Sequence, residues 1–131
     1  MSSLELFASD WREVWKHAAT PEPVGAVFTR PEIVDLILDL AGYAVGNVRL
    51  AEISVLEPSC GDGAFLDAVI GRLIQSEVAL NGRVIWEDPI LVRAVCACDI
   101  NEKSVQAARS LVEARLTAAG CVSSMAAILA S

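Results

Sequence analysis

Two short stretches of this sequence place acids and glycines where a folded chain can hold a ligand. In the first, Leu56-Glu57-Pro58-Ser59-Cys60-Gly61-Asp62-Gly63-Ala64-Phe65-Leu66, an acid and two glycines follow the β-prone run Ile53-Ser54-Val55-Leu56. A helical pattern, Phe65, Leu66, Val69, Ile70, Leu73 and Ile74, comes directly after it. In the second, Asp99 closes the apolar run from Leu91 to Cys98. In an open parallel sheet the ligand sits beyond the carboxyl ends of the strands, so these two turns are the places to inspect. Gly61 and Gly63 let backbone amides come close to a ligand, and an acid at Asp99 can accept both hydroxyls of a ribose. The pattern describes a pocket for a nucleoside.

Charge narrows the nucleoside. A dinucleotide site has Gly-x-Gly-x-x-Gly with a pyrophosphate at the helix N-terminus, but here the third glycine position is Leu66 and Asp62 lies between the two glycines. An acid facing a pyrophosphate repels it. S-adenosyl-L-methionine carries a sulfonium and an ammonium and no phosphate, so Glu57 and Asp62 are compatible with it.

The elements that must position these turns can be read from periodicity. Leu4, Phe7, Trp11, Val14 and Trp15 share one side of a helix, with Asp10, Arg12, Glu13 and Lys16 opposite, and the Trp pair needs a partner surface. Thr20-Pro21-Glu22-Pro23-Val24-Gly25 breaks that pattern as a loop. A second helix starts near Pro31 with Glu32 in its first turn, and Gly42 ends it. The strand at 53–56, the glycine turn and the helix that ends at Asn81-Gly82 follow. Residues 91–98 read as the next strand, and Glu102 to Ala119 as a helix stopped by Gly120. The order is β-α-β-α after two helices, an α/β arrangement whose strands should lie parallel with a right-handed crossover. Two strands do not make a well-covered parallel sheet, so the sheet is expected to be unfinished in this chain. The tail from Cys121 to Ser131 is apolar and without clear period.

Composition limits the functions available. The 131 residues fit one small domain, and a hydrophobic share of 54% is enough for a core. No apolar run reaches the length of a membrane span and the N-terminus lacks a signal-peptide layout, which leads us to expect a cytoplasmic protein. The formal net charge of −7, with ten basic residues scattered from Arg12 to Arg115, argues against a large phosphate-binding surface in this segment. Cys60, Cys96, Cys98 and Cys121 lack disulfide-framework spacing and are expected to be free and mostly buried. Cys96-Ala97-Cys98 has no second ligand pair for a metal, and His17 falls on the polar side of the first helix, so neither is assigned a metal or general-base role. Trp11 and Trp15, without basic neighbours, read as core or interface anchors rather than base-stacking platforms.

The stretch from Leu56 to Leu66 resembles the first cofactor motif of the restriction-modification DNA adenine-N6 methyltransferases, in the gamma arrangement that puts the cofactor motifs first. Gly25-Ala26-Val27-Phe28-Thr29-Arg30-Pro31 resembles the N-terminal motif of that family, and Asp99-Ile100 its acidic motif after the second strand. The resemblance spans roughly residues 25 to 109. It implies a partial Rossmann-like class I methyltransferase fold, with residues 1–24 as an N-terminal helix and linker and 25–131 as a partial cofactor-binding domain.

It also implies roles. Phe28 and Thr29 would hold the methionine carboxylate of S-adenosyl-L-methionine, Glu57 and the backbone of Ser59, Cys60 and Gly61 its amino-acid end, with Gly63 completing the turn and Asp62 in support. Asp99 would bind the ribose and Ile100 would pack on the adenine. The family's Asn/Asp/Ser-Pro-Pro-aromatic motif is not in this sequence, where no two prolines are adjacent. The acid after a third strand is missing too, so the chain reads as a truncated form with no catalytic residue, inactive alone, its DNA contacts lying elsewhere. Two other readings remain open. One is a non-catalytic module or subunit remnant that forms homo- or hetero-oligomers through an open sheet edge. The other is a fragment of an RNA or protein methyltransferase with the same cofactor architecture.

Overall fold

A computed structural model describes residues 29–46, 48–123 and 125–126. The expected helix bearing Trp11 and Trp15, and Phe28, lie outside the described residues.

Helix α1, Pro31–Leu40, forms where the sequence prepares it: Arg30 is extended, as a residue before proline must be, and Pro31 supplies the first-turn φ. Gly42, at φ 76°, ends it. The Gly42 N–H donates to the Asp39 carbonyl and the Tyr43 N–H to the Leu38 carbonyl, closing the last turn. A single 3₁₀ turn, Leu50–Glu52, leads into strand β1, Val55–Glu57. Helix α2, Ala64–Asn81, runs from Gly63 to Gly82, both left-handed. A short helix α3, Pro89–Ala94, passes directly into strand β2, Val95–Ala97, and helix α4, Glu102–Ala118, follows.

Two expectations about the strands are corrected. Residues 91–98 are not one strand, because helix α3 takes the run as far as Ala94. A short apolar run has no period that separates strand from buried helix, and here the capping chemistry decides. Pro89 occupies the first helical position and the Asp88 carboxylate accepts the Ile90 N–H at 3.1 Å, so helix is favoured from the start. The first strand is also shifted, running from Val55 to Glu57 rather than from Ile53 to Leu56.

The two strands pair in parallel, Val55 with Val95, Leu56 with Cys96 and Glu57 with Ala97. Helix α2 packs against both α1 and α4. Its Val69 and Leu73 join Val34, Leu38, Tyr43 and Leu50 in one core cluster, while its Leu66 and Ile70 join Ala108, Val112 and Leu116 in another. Each fully buried aliphatic side chain contributes about 1.5–3 kcal/mol, against about 1 kcal/mol for a ladder hydrogen bond. Helix packing, more than the short ladder, therefore holds the strands in place. Leu56 remains 66% exposed beside an exposed Cys96, so no described residue covers that side of the sheet. Among the described residues no helix is long and apolar enough to cross a membrane.

Polar pairs tie the layers together. The fully buried Glu77 receives Arg49 Nε and Nη2 at 2.7 Å each, and the same Nη2 reaches Asp88 Oδ2 at 2.7 Å. Asn81 Nδ2 donates to Glu77 at 3.2 Å, and the Leu50 N–H donates to the buried Ser76 hydroxyl at 3.1 Å. Arg72 on α2 bridges Asp35 and Asp39 of α1 and donates to the Tyr43 carbonyl. Among the described residues the buried Tyr43 hydroxyl has no partner, and burial pushes its pKa up to about 12.

Arg49→Ala leaves Glu77 buried with Asn81 as its one remaining donor among the described residues and should cost about 3 kcal/mol in urea unfolding, the low end for a broken buried pair because Arg49 is itself partly exposed. Tyr43→Phe removes an unpartnered hydroxyl while keeping the ring, so its thermal midpoint should equal or exceed that of the parent.

Candidate functional site

The parallel pairing continues past the strands into the turns that hold the candidate residues. The Cys98 N–H donates to the Glu57 carbonyl at 2.9 Å, and the Cys60 N–H donates to the Cys98 carbonyl at 3.0 Å. Cys98 therefore stitches the two turns together, a role that its side chain did not advertise in the sequence. Its thiol also lies 3.5 Å from the Pro58 carbonyl.

Glu57 is the last residue of β1, and its Oε1 accepts the Ser59 N–H at 3.1 Å, curling the chain back toward the strand end. Gly61 follows with φ 50°, and its N–H donates to Asp99 Oδ2 at 2.9 Å. Asp99 Oδ1 accepts the Asn101 N–H at 2.8 Å. These backbone donors, Asn101 first and Gly61 second, hold the Asp99 carboxyl below the usual carboxylate range. Asn101 caps α4 by accepting the Lys103 N–H at 2.9 Å, as the sequence suggests. Asp99 is not left empty-handed by that cap, however: each of its oxygens already accepts one backbone N–H. A carboxylate offers about four lone-pair sites, so the Asp99 oxygens keep capacity for hydroxyl donors.

Gly63 is buried at φ 88°, and a Cβ there would stand 3.3 Å from Leu111 Cδ1 of α4, which makes glycine the residue that fits. A Cβ on Gly61 would meet nothing within 4 Å, so the space over that residue is open. Asp62 is exposed and accepts the Ala64 N–H at 3.2 Å, a helix-start bond that accounts for an acid at this position without a ligand. Ile100 is 88% exposed next to Asp99, an apolar surface that the described residues leave uncovered. Thr29 is half-buried just ahead of α1, and among the described residues no hydrogen bond joins it to the Glu57 turn. The fold thus brings Glu57, Ser59, Cys60, Gly61 and Asp99 together and puts Asp62, Gly63 and Ile100 at the margin.

Two cysteines depart from the expected burial. Cys60 and Cys121 are buried, whereas Cys96 and Cys98 are exposed because no described residue covers their side of the strand. Burial pushes the Cys60 thiol up, reinforced by the Asp99 charge. Among the described residues no group of three metal-ligating side chains forms.

A groove of about 720 Å³ was not foreseen from the sequence. It runs beside α2, lined by Asp35, Asp39, Asp67, Arg72 and Arg115, and includes none of the turn residues. Arg72 is already paired with Asp35 and Asp39, and Arg115 lies 3.6 Å from Asp67, so its charges are spent within the fold. The spacing of Asp35 and Asp39, one helical turn apart, is the signal by which sequence reading could have placed a basic partner there.

Comparison with known proteins adds a sequence likeness. Over 100 residues, 76% of this chain, the sequence is 43% identical to the type II methyltransferase M.XhoI of Xanthomonas vasicola. The chain is thus similar in sequence to part of a type II methyltransferase. It is also 54% identical over 52 residues to type II methyltransferase M.BstVI of Geobacillus stearothermophilus, and 46% identical over 76 residues to M.PaeR7I of Pseudomonas aeruginosa. These alignments span 18%, 9% and 13% of the respective type II methyltransferases, so the chain matches a small part of each. No family model matches, and no solved structure does at a comparable level.

The depressed Asp99 carboxyl makes a pH prediction. Because its folded pKa lies below the ordinary value, its stabilisation is fully present above about pH 4 and is lost as pH falls through the lower folded pKa. The difference in thermal midpoint between the parent and Asp99→Ala should be constant from neutral pH down to about pH 4 and shrink below it.

Proposed function

We propose that this segment holds S-adenosyl-L-methionine for a DNA adenine-N6 methyltransferase of a restriction-modification system, in a Rossmann-like arrangement of the two described strands. One observation carries the reading: Glu57 and Asp99 stand at the carboxyl ends of adjacent parallel strands, joined through the Gly61 N–H to Asp99 bond. That is where an open α/β sheet receives a nucleoside.

The residues present fit this cofactor. The turn from Glu57 to Gly63 contains two acids and no Lys or Arg, which favours a cationic ligand and disfavours a phosphate. The open space over Gly61 leaves room for a ligand against the backbone, and the remaining acceptor capacity of Asp99 suits a ribose diol. Ile100 offers its exposed aliphatic surface to an adenine ring. Glu57 and the Ser59, Cys60 and Gly61 backbone would hold the amino-acid end, and Phe28 and Thr29 its carboxylate. When bound, the cofactor supplies an electrophilic methyl group on a sulfonium.

This chain's own work is to bind and orient that donor. The sequence contains no Pro-Pro-aromatic motif to receive a flipped adenine, so the segment alone should bind donor without transferring a methyl group, and contact with DNA would come from other parts of a longer protein. Four thiols without a disulfide are in keeping with a cytoplasmic location. The exposed side of the sheet at Leu56 and Cys96 favours a second reading, a module that docks on another subunit and binds no donor.

Isothermal titration with S-adenosylhomocysteine separates the two. The proposal expects heat of binding from the folded chain and an affinity at least about tenfold weaker for Asp99→Ala, which loses charge-assisted bonds to the ribose. Absence of binding by protein whose circular dichroism is native, or an unchanged affinity in the variant, would overturn it and leave the docking module as the better reading.

A further inference from the structure

Helix α1 is apolar on two sides. Val34 and Leu38 point into the core, while Asp35 and Asp39 are taken up by Arg72. That leaves a second row, Ile33, Leu36, Ile37 and Leu40, whose i, i+3, i+4, i+7 spacing defines one continuous helix face. These four side chains are between 43% and 80% exposed, although complete burial of each would contribute about 1.5–3 kcal/mol. The described residues leave this row largely uncovered.

The sequence holds a segment with the complementary need. Leu4, Phe7, Trp11, Val14 and Trp15 fall within a narrow arc of a helix, and the charged residues Asp10, Arg12, Glu13 and Lys16 fall outside it. Two tryptophans on one face represent a large apolar area to leave in water. The described chain starts at Thr29, two residues ahead of α1, so this segment is tethered to the very helix that carries the uncovered row. Residues 16 to 30 span up to about 50 Å when extended, whereas α1 is only about 15 Å long. Reach therefore imposes no limit. Pro21, Pro23 and Gly25 interrupt helical continuity and permit the chain to turn back. Neither face carries a charge, so docking desolvates no ion. A tether of this length presents the segment at an effective concentration on the order of millimolar, well above what a second copy offers at micromolar protein.

We propose that residues 4–15 form an amphipathic helix that docks its Phe7, Trp11 and Trp15 face on the Ile33, Leu36, Ile37 and Leu40 row of α1. The inference is independent of what the turns at Glu57 and Asp99 bind.

The test uses acrylamide quenching of tryptophan fluorescence in the full chain, comparing the parent with Leu36→Glu/Leu40→Glu and with Leu40→Glu alone. Both replaced side chains are exposed, so the core is untouched, and Trp86, which packs on the cluster of Leu66, Ile70 and Leu116 rather than that of α1, is a background shared by all three proteins. Docking expects the double variant to show a red-shifted emission and a quenching constant roughly double that of the parent, with Leu40→Glu intermediate and circular dichroism little changed. In the converse variant, Trp11→Ala/Trp15→Ala, hydrogen exchange along α1 should accelerate. Identical quenching in parent and variants would overturn the proposal. So would protection that disappears when the parent is diluted to nanomolar concentration, since that outcome assigns the row to a second copy of the chain.

Discussion

The arrangement depends on one buried carboxylate. Glu77 is fully enclosed, and an enclosed charge is tolerated only when it is paired and its oxygens are hydrogen-bonded. Arg49 meets that demand with two bonds and extends a third to Asp88. In doing so it fixes three points of the chain: the 3₁₀ turn before β1, the last turns of α2 and the cap of α3 before β2. The segments that lead into the two strands are thereby set against each other independently of the ladder. Their short ladder then needs to contribute register and little else.

That register is what the candidate site is made from. With Glu57 opposite Ala97, the Cys98 backbone reaches both turns, and the Gly61 amide arrives at the Asp99 carboxylate. Gly63 lets α2 begin directly beneath Leu111, so α4, which starts just beyond Asp99, is packed on the same turn. Acid, amide and helix start are held from two directions, by the clamp at one end of the strands and by helix packing at the other.

Much of this was legible in the sequence because local chemistry and global fold agree. Pro31, Gly42, Gly63, Gly82 and Asn101 begin or end helices where their backbone preferences say they should. The pairing of the Glu57 and Asp99 turns followed from the β-α-β order. What escaped was decided by long-range partners. Residues 89–94 are helical because Asp88 and Pro89 cap them, a signal masked by an uninterrupted apolar run. The Arg49–Glu77–Asp88 clamp joins residues far apart in the chain, and no spacing rule connects them. The bonds to Asp99 from Gly61 and Asn101 arise from turn geometry that only the folded backbone reveals.

The bridging position of Cys98 has a consequence for folding fidelity. Side chains alternate faces along a strand, so a slip of β2 by one residue against β1 would turn Asp99 away from Gly61 and put its neighbour in its place. A three-residue ladder resists such a slip weakly by itself. Any ligand that needs Glu57 and Asp99 together binds the native pairing alone and, by mass action, deepens it relative to the slipped one. Ligand occupancy would act as a proofreading step on strand alignment.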